Sequence, residues 1–220
     1  MRTWHERGIE IVQGYGLTEA APNVLCLPPE DAGRKAGFAG KPYPHVDVAL
    51  RDPDSGAHLA GQATGELVVR GPNVFAGYWR DTEATAAAFA DGWLLTGDLA
   101  RRVDEGYYRI VGRLKELVIS GGENIYPAEI EDVLHAHDAV AEAAVIGVPD
   151  ERWGEVCVAF VALRQPGGAD ADQLLEWCRG RLARYKVPRE IRFVAALPRS
   201  AMDKVSKQEL RSELEPEAVR

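Results

Sequence analysis

Gly112-Arg113-Leu114-Lys115-Glu116-Leu117-Val118-Ile119-Ser120-Gly121-Gly122-Glu123-Asn124 is the stretch at which the grammar of the chain changes. Upstream of it, short β-branched runs at residues 46–50, 66–69, 94–100 and 107–111 are broken by glycine and proline, a pattern that predicts antiparallel strands. One helix interrupts them at residues 81–90, with Asp81 or Thr82 as cap and Gly92 as stop. Downstream, helices and strands alternate. Pro127 opens a helix running through Leu134, strands follow at 140–148 and 156–163, and a helix covers 171–182 behind Asp170 as cap. A strand at 191–194 and a short helix at 206–214 complete an α+β unit of roughly a hundred residues, a usual size for a small domain. The expected organisation is mixed α/β and α+β: a β-rich part over 1–112, a joint at 113–115, and a second domain over 116–220. Residues 4–11 read as the tail of an amphipathic helix with no cap before it, so the chain is expected to begin inside a domain.

Composition narrows the function. The 220 residues are 46% hydrophobic, enough for a globular core, and their net charge of -8 argues against a nucleic-acid partner, which needs a positive surface. Cys26, Cys157 and Cys178 are odd in number and far apart, unlike a zinc or dithiol site, and point to a reducing compartment. Arg2, His5, Glu6, Arg7 and Glu10 leave no apolar signal core at the start, and no later stretch reads as membrane-spanning. A soluble, cytoplasmic protein is expected.

Four segments hold residues with chemical potential. Gln13-Gly14-Tyr15-Gly16-Leu17-Thr18-Glu19 combines a ring for stacking, close-approach glycines, a hydroxyl for phosphate and a carboxylate for Mg²⁺; a β-turn with a helix cap explains it too. In Trp93-Leu94-Leu95-Thr96-Gly97-Asp98-Leu99 one acid follows a glycine in an apolar strand, which suits a ribose diol or a turn aspartate bound to backbone amides. Arg113, ending a strand, can donate a fork of hydrogen bonds to ribose or phosphate oxygens, while Gly121-Gly122 fits either a narrow ligand or a plain hairpin turn. Lys204, in Leu197-Pro198-Arg199-Ser200-Ala201-Met202-Asp203-Lys204-Val205-Ser206-Lys207, is by itself an ordinary solvated charge.

Taken in order, Tyr15-Gly-Leu-Thr-Glu19, Gly65-Glu-Leu-Val-Val-Arg-Gly71 with Gly77-Tyr78-Trp79, Thr96-Gly-Asp98, Gly112-Arg113 and the Lys204 loop resemble the signatures of the adenylate-forming superfamily. That superfamily comprises acyl- and aryl-CoA synthetases, adenylation domains and luciferases. The resemblance covers nearly the whole chain, and Ser120-Gly-Gly-Glu-Asn-Ile-Tyr-Pro-Ala-Glu-Ile-Glu131 is similar to the CoA-ligase form. It implies that 1–112 is the C-terminal part of an AMP-binding domain and 116–220 a lid domain. The implied reaction uses ATP and Mg²⁺ to convert a fatty or aryl carboxylic acid into an acyl-adenylate, from which CoA displaces AMP.

The resemblance also implies roles. Lys204 matches the lysine bridging carboxylate and α-phosphate, Glu19 the Mg²⁺ ligand and Thr18 a phosphate contact. Tyr15 matches the adenine contact and Asp98 with Arg113 the ribose contacts, with Gly16 and Ile110 completing the nucleotide set. Lys115 falls at the hinge. Gly121, Gly122, Trp153, Lys186 and Arg189 match the CoA side. Two departures stand out. Asp203 occupies the position before the lysine where glycine is common, and its carboxylate is expected to be able to pair with Lys204. A Ser/Thr/Gly-rich phosphate loop with its own lysine is absent from the 220 residues, so this chain alone is expected to be inactive. A non-catalytic AMP- or CoA-binding fragment and a carrier-loading adenylation domain are the alternatives.

Overall fold

The computed structural model describes residue 4, residues 6–201 and residues 203–214. The chain divides into two compact units, Met1–Leu114 and Lys115–Arg220.

In the first unit, β1 (Gly14–Tyr15), β2 (Leu25–Cys26) and β3 (Lys41–Pro42) form a small antiparallel sheet. The main sheet uses β4 (Asp47–Arg51), β5 (His58–Leu59), β6 (Ala63–Arg70), β7 (Phe89–Ala90), β8 (Trp93–Arg102) and β9 (Tyr108–Arg113). Its strand order is β5-β4-β6-β8-β7, with β9 also paired to β8, and every pairing is antiparallel. Leu50, Leu67, Val69, Leu94 and Ala100 bury one face against Val24, Leu25 and Ala39 from the small sheet and its flanking loops.

The expected strands are present. The helix at 81–90 is shorter: α1 spans Thr82–Ala87, capped by the Asp81 carboxylate accepting from the Ala84 amide. Residues 89–90 are instead strand β7, because Asp91 and Gly92 both take positive φ, 51° and 77°. Two left-handed residues make the tight turn that folds one strand back onto the next, so Gly92 closes a hairpin and does not stop a helix. At the start, Trp4 is helical but residues 6–8 form a turn, so no helix tail reaches residue 11; residue 5 of that expected span lies outside the described residues.

The second unit wraps helices on a mixed sheet. Its strands are β10 (Val118–Ser120), β11 (Glu123–Ile125), β12 (Val140–Asp150), β13 (Gly154–Leu163) and β14 (Glu190–Phe193). Their order is β11-β10-β13-β12, with β14 parallel to β13. Helix α2 (Pro127–His135) and helix α3 (Ala171–Arg179) bury Ile130, Leu134, Leu174 and Cys178 against Val145, Ala159 and Val161. On the other sheet face, α4 (Lys207–Leu214) packs Leu210 against Ile146, Val158 and Phe160. Asp170 caps α3 through a reciprocal box with Gln173. That helix ends at Arg179, not at 182, where Gly180 takes the C-cap position.

A half-buried ion cluster joins α4 to the rest of the unit. The Lys207 Nζ donates to Glu116 Oε2 and to Glu131 Oε1, both at 2.8 Å, with only 16% of the lysine side chain exposed. Glu131 Oε1 also accepts from the Val145 amide at 2.8 Å. Burial pulls the lysine pKa down, but the two glutamates outweigh it and raise it. Replacing Lys207 with methionine strands two carboxylates in a half-buried site and is expected to cost on the order of 3 kcal/mol, read from urea unfolding at neutral pH.

Candidate active site

In the first unit the chemistry gathers around one carboxylate. Asp98 is 6% exposed, at the centre of β8. Its Oδ2 accepts from the Tyr15 hydroxyl at 2.6 Å, and its Oδ1 lies 2.7 Å from Arg113 Nε. Asp98 and Arg113 are opposite each other in the β8–β9 register, so the pairing is set by the ladder itself. Tyr15 comes from β1, 83 positions away in sequence. Burial, followed by the negative field of Asp98, holds the Tyr15 phenol far above its ordinary pKa. The residue is therefore a neutral hydrogen-bond donor. Ile110, on β9, is opposite Ala100 and packs against the core.

Gly16, Thr18 and Glu19 follow Tyr15. A side chain at Gly16 would put its Cβ 2.2 Å from the Pro22 carbonyl oxygen, so only glycine lets the loop close. Thr18 opens a 3₁₀ turn, Thr18–Ala20, and is exposed. Tyr78 donates its hydroxyl to Glu19 Oε1 at 2.9 Å, while the Phe75 amide and the Asn73 side chain bind the backbone of the same turn. Tyr78 sits in the Gly77-Tyr78-Trp79 segment, whose composition alone assigns it no task. Among the described residues no cluster of three or more His, Cys, Asp or Glu can hold a metal. A single carboxylate fits Mg²⁺, which keeps most of its ligands as water and phosphate oxygens.

The second unit holds a different set. A cleft of about 620 Å³ is lined by Gly121, Trp153, Cys157, Arg184, Tyr185 and Arg189, among others. Gly121 and Gly122 form the two-residue turn between β10 and β11, so a hairpin does explain them. Gly121 also donates its amide to the Trp153 carbonyl at 2.8 Å and faces the cleft. Asp150 organises the rim: its Oδ1 accepts from the amides of Arg152 and Trp153, and its Oδ2 lies 3.3 Å from Arg189. Lys186 is turned elsewhere, its Nζ 2.6 Å from Glu129 Oε2, whereas Arg184 and Tyr185, just before it in the same turn, line the cleft. Sequence reasoning passed over Arg184 and Tyr185. Their adjacency to Lys186 was the available signal.

Lys204 is exposed on the loop before α4 and has no ion-pair partner among the described residues. The Asp203 carboxylate does not pair with it. It points to Arg199, at 3.6 Å, and Arg199 also bonds the Asp203 carbonyl and the Glu142 carboxylate. Asp203 has φ 59°, the left-handed conformation that makes glycine common there and that aspartate tolerates. Lys115, the expected hinge, is exposed at the first position of the second unit.

Residues 1–79 match the AMP-binding enzyme family, and residues 129–204 match the AMP-binding enzyme C-terminal domain. The chain belongs to the AMP-binding enzyme family. Indoleacetate–CoA ligase of Aromatoleum aromaticum is 48% identical over 96% of this chain and 41% of its own length. A long-chain-fatty-acid–CoA ligase of Mycobacterium tuberculosis is 44% identical over 97% of this chain and 42% of its own length. Among solved structures, o-succinylbenzoate CoA synthetase of Bacillus subtilis, in complex with its acyl-adenylate intermediate, matches with a TM-score of 0.89 and 40% identity. The match covers 96% of this chain and 43% of that one. The chain thus spans about two fifths of the length of the relatives it matches.

No helix among the described residues is long and apolar enough to cross a membrane, and all three cysteines are unpaired. Cys157 and Cys178 are buried, and burial pushes the Cys157 thiol from 9.0 up to about 12. A raised thiol pKa favours the protonated form in the folded state, so its contribution is complete below pH 9 and is lost as pH climbs toward about 12. Urea unfolding between pH 8 and 11 is expected to show falling stability, with a shallower fall in Cys157→Ala.

Proposed function

We propose that this chain supplies the ribose-binding and lid chemistry of an enzyme that activates a fatty or aryl carboxylic acid with ATP and transfers the acyl group to CoA. The observation that supports it best is Asp98 held between Tyr15 and Arg113. A carboxylate can accept about four hydrogen bonds, so a ribose diol can join those two donors while Arg113 keeps the site from being purely anionic. Two side chains distant in sequence, Tyr15 and Arg113, meet the acid, which favours a ligand site over a simple turn.

In this reading Glu19, held by Tyr78, offers one oxygen ligand to Mg²⁺, with Thr18 beside it for phosphate. The metal offsets phosphate charge when bound. Lys204 brings an uncommitted ammonium to the substrate carboxylate and α-phosphate, where negative charge builds as the acyl-adenylate forms. Lys115 is the joint about which the second unit turns between the two half-reactions. The cleft beside Trp153 takes CoA: Trp153 and Tyr185 are apolar walls for pantetheine, and Arg184 and Arg189 answer its phosphates. Lys186, tied to Glu129, is a poorer phosphate ligand than Arg184. Three free thiols fit a reducing cytoplasm.

Calorimetric titration of this chain tests the reading. AMP and CoA are each expected to bind in the micromolar range; Asp98→Asn should weaken AMP about tenfold, and Trp153→Ala should weaken CoA alone. Binding of neither ligand overturns the assignment. Because no phosphate-loop lysine motif occurs in the 220 residues, ATP–pyrophosphate exchange by this chain alone, with fatty and aryl acids, is expected at background. Robust exchange would show that the loop is dispensable.

A further inference from the structure

Glu66 belongs to the Gly65-Glu-Leu-Val-Val-Arg-Gly71 segment, which the nucleotide reading leaves without a task. The residue is 3% exposed. Burying an ionised carboxylate costs several kcal/mol unless partners compensate, so its presence asks for a reason. Its two oxygens are used differently. Oε1 accepts from the Gly97 amide at 3.1 Å, and Oε2 lies 3.6 Å from Arg51.

The register between β6 and β8 explains why an amide there needs an acceptor. Glu66 is opposite Leu99 and Val68 is opposite Leu95, so the single residue Leu67 faces Thr96, Gly97 and Asp98 together. Such a bulge leaves backbone groups outside the ladder and re-aims the side chains it bears. Gly97 adopts φ 66°, turning its amide toward Glu66. The Asp98 amide donates to the Thr96 hydroxyl at 3.1 Å, and that hydroxyl donates to the Leu67 carbonyl at 2.6 Å. Glu66 and Thr96 thus satisfy the two stray amides of the bulge, and the bulge ends at the acid that meets Tyr15 and Arg113.

We propose that Glu66 is a positioning residue for nucleotide binding, its buried carboxylate anchoring the Gly97 amide so that the bulge presents Asp98 to a ribose diol. The inference rests on the nucleotide reading above. Glu66 touches no ligand; it acts through Gly97 on Asp98. Removing the acceptor leaves a partly buried amide without its partner, and the strand is then free to slip toward regular pairing, which rotates Asp98 away.

The test compares AMP with 2′,3′-dideoxy-AMP, which lacks the diol, on the whole chain. Wild type is expected to prefer AMP. Glu66→Ala should lose about tenfold in AMP affinity and little for the dideoxy analogue, whereas Glu66→Gln, which keeps an acceptor oxygen, should stay within about threefold of wild type for both. A merely structural role would lower thermal stability yet leave the AMP preference unchanged, and that result overturns the proposal. Should Glu66→Ala not fold, the wild type decides. Its Gly97 amide is expected to exchange with solvent at least about tenfold more slowly than that of exposed Gly92, and AMP, unlike the dideoxy analogue, should slow it further. Free exchange at Gly97 overturns the anchor. If wild type binds neither nucleotide, the nucleotide reading fails by itself, and faster Gly97 exchange in Glu66→Ala than in wild type then judges the anchor separately.

Discussion

A carboxylate withdrawn from water is held only where donors meet it, and Asp98 is met from two directions by groups that no local pattern brings together. Arg113 reaches it across the β8–β9 ladder, and Tyr15 arrives from the small β1-β2-β3 sheet. The arrangement needs the bulge in β8, and the bulge needs Glu66 and Thr96 to take up its stray amides. The order of dependence runs from a register shift, through two hydrogen bonds, to the direction of one acid. Gly16 adds a steric condition, since the loop after Tyr15 closes only where no side chain intervenes.

The second unit solves another problem, that of two lysines three positions apart with opposite fates. Lys207 is half-buried between Glu116 and Glu131 and pins α4 to the body of the unit. Lys204, on the loop just before, stays exposed because Asp203 is drawn off by Arg199. A half-buried, doubly paired ammonium serves stability, and an exposed, uncommitted one is available for chemistry. Their separation depends on the left-handed turn at Asp203, a conformation that directs its carboxylate to Arg199.

Much of this was legible beforehand. Strand periodicity located the main sheet and Asp170 announced its helix cap, because burial on one face imposes a period that a sequence displays directly. The misses have physical causes. Residues 89–90 read as helix because alanine-rich runs favour it, while two left-handed residues after them turned the pair into a strand. The two-residue strands β1, β2 and β3 and the three-residue strands β10 and β11 are too short to show alternation. Lys186 and Arg184 look alike in a sequence, and only the position of Glu129 separates a structural cation from one that lines the cleft.

By itself, then, the sequence determined the order of elements and the family signatures, and it singled out Asp98, Arg113, Glu19 and Lys204 as candidates. The tertiary structure alone decided which of them share a partner: that Tyr15 donates to Asp98, that Tyr78 donates to Glu19, that the Gly97 amide donates to Glu66, and that Asp203 turns to Arg199 and not to Lys204. The reason is range. Periodicity and capping act over a few residues and are written in neighbouring letters, whereas hydrogen bonds between residues 83 or 59 positions apart depend on how sheets register and close.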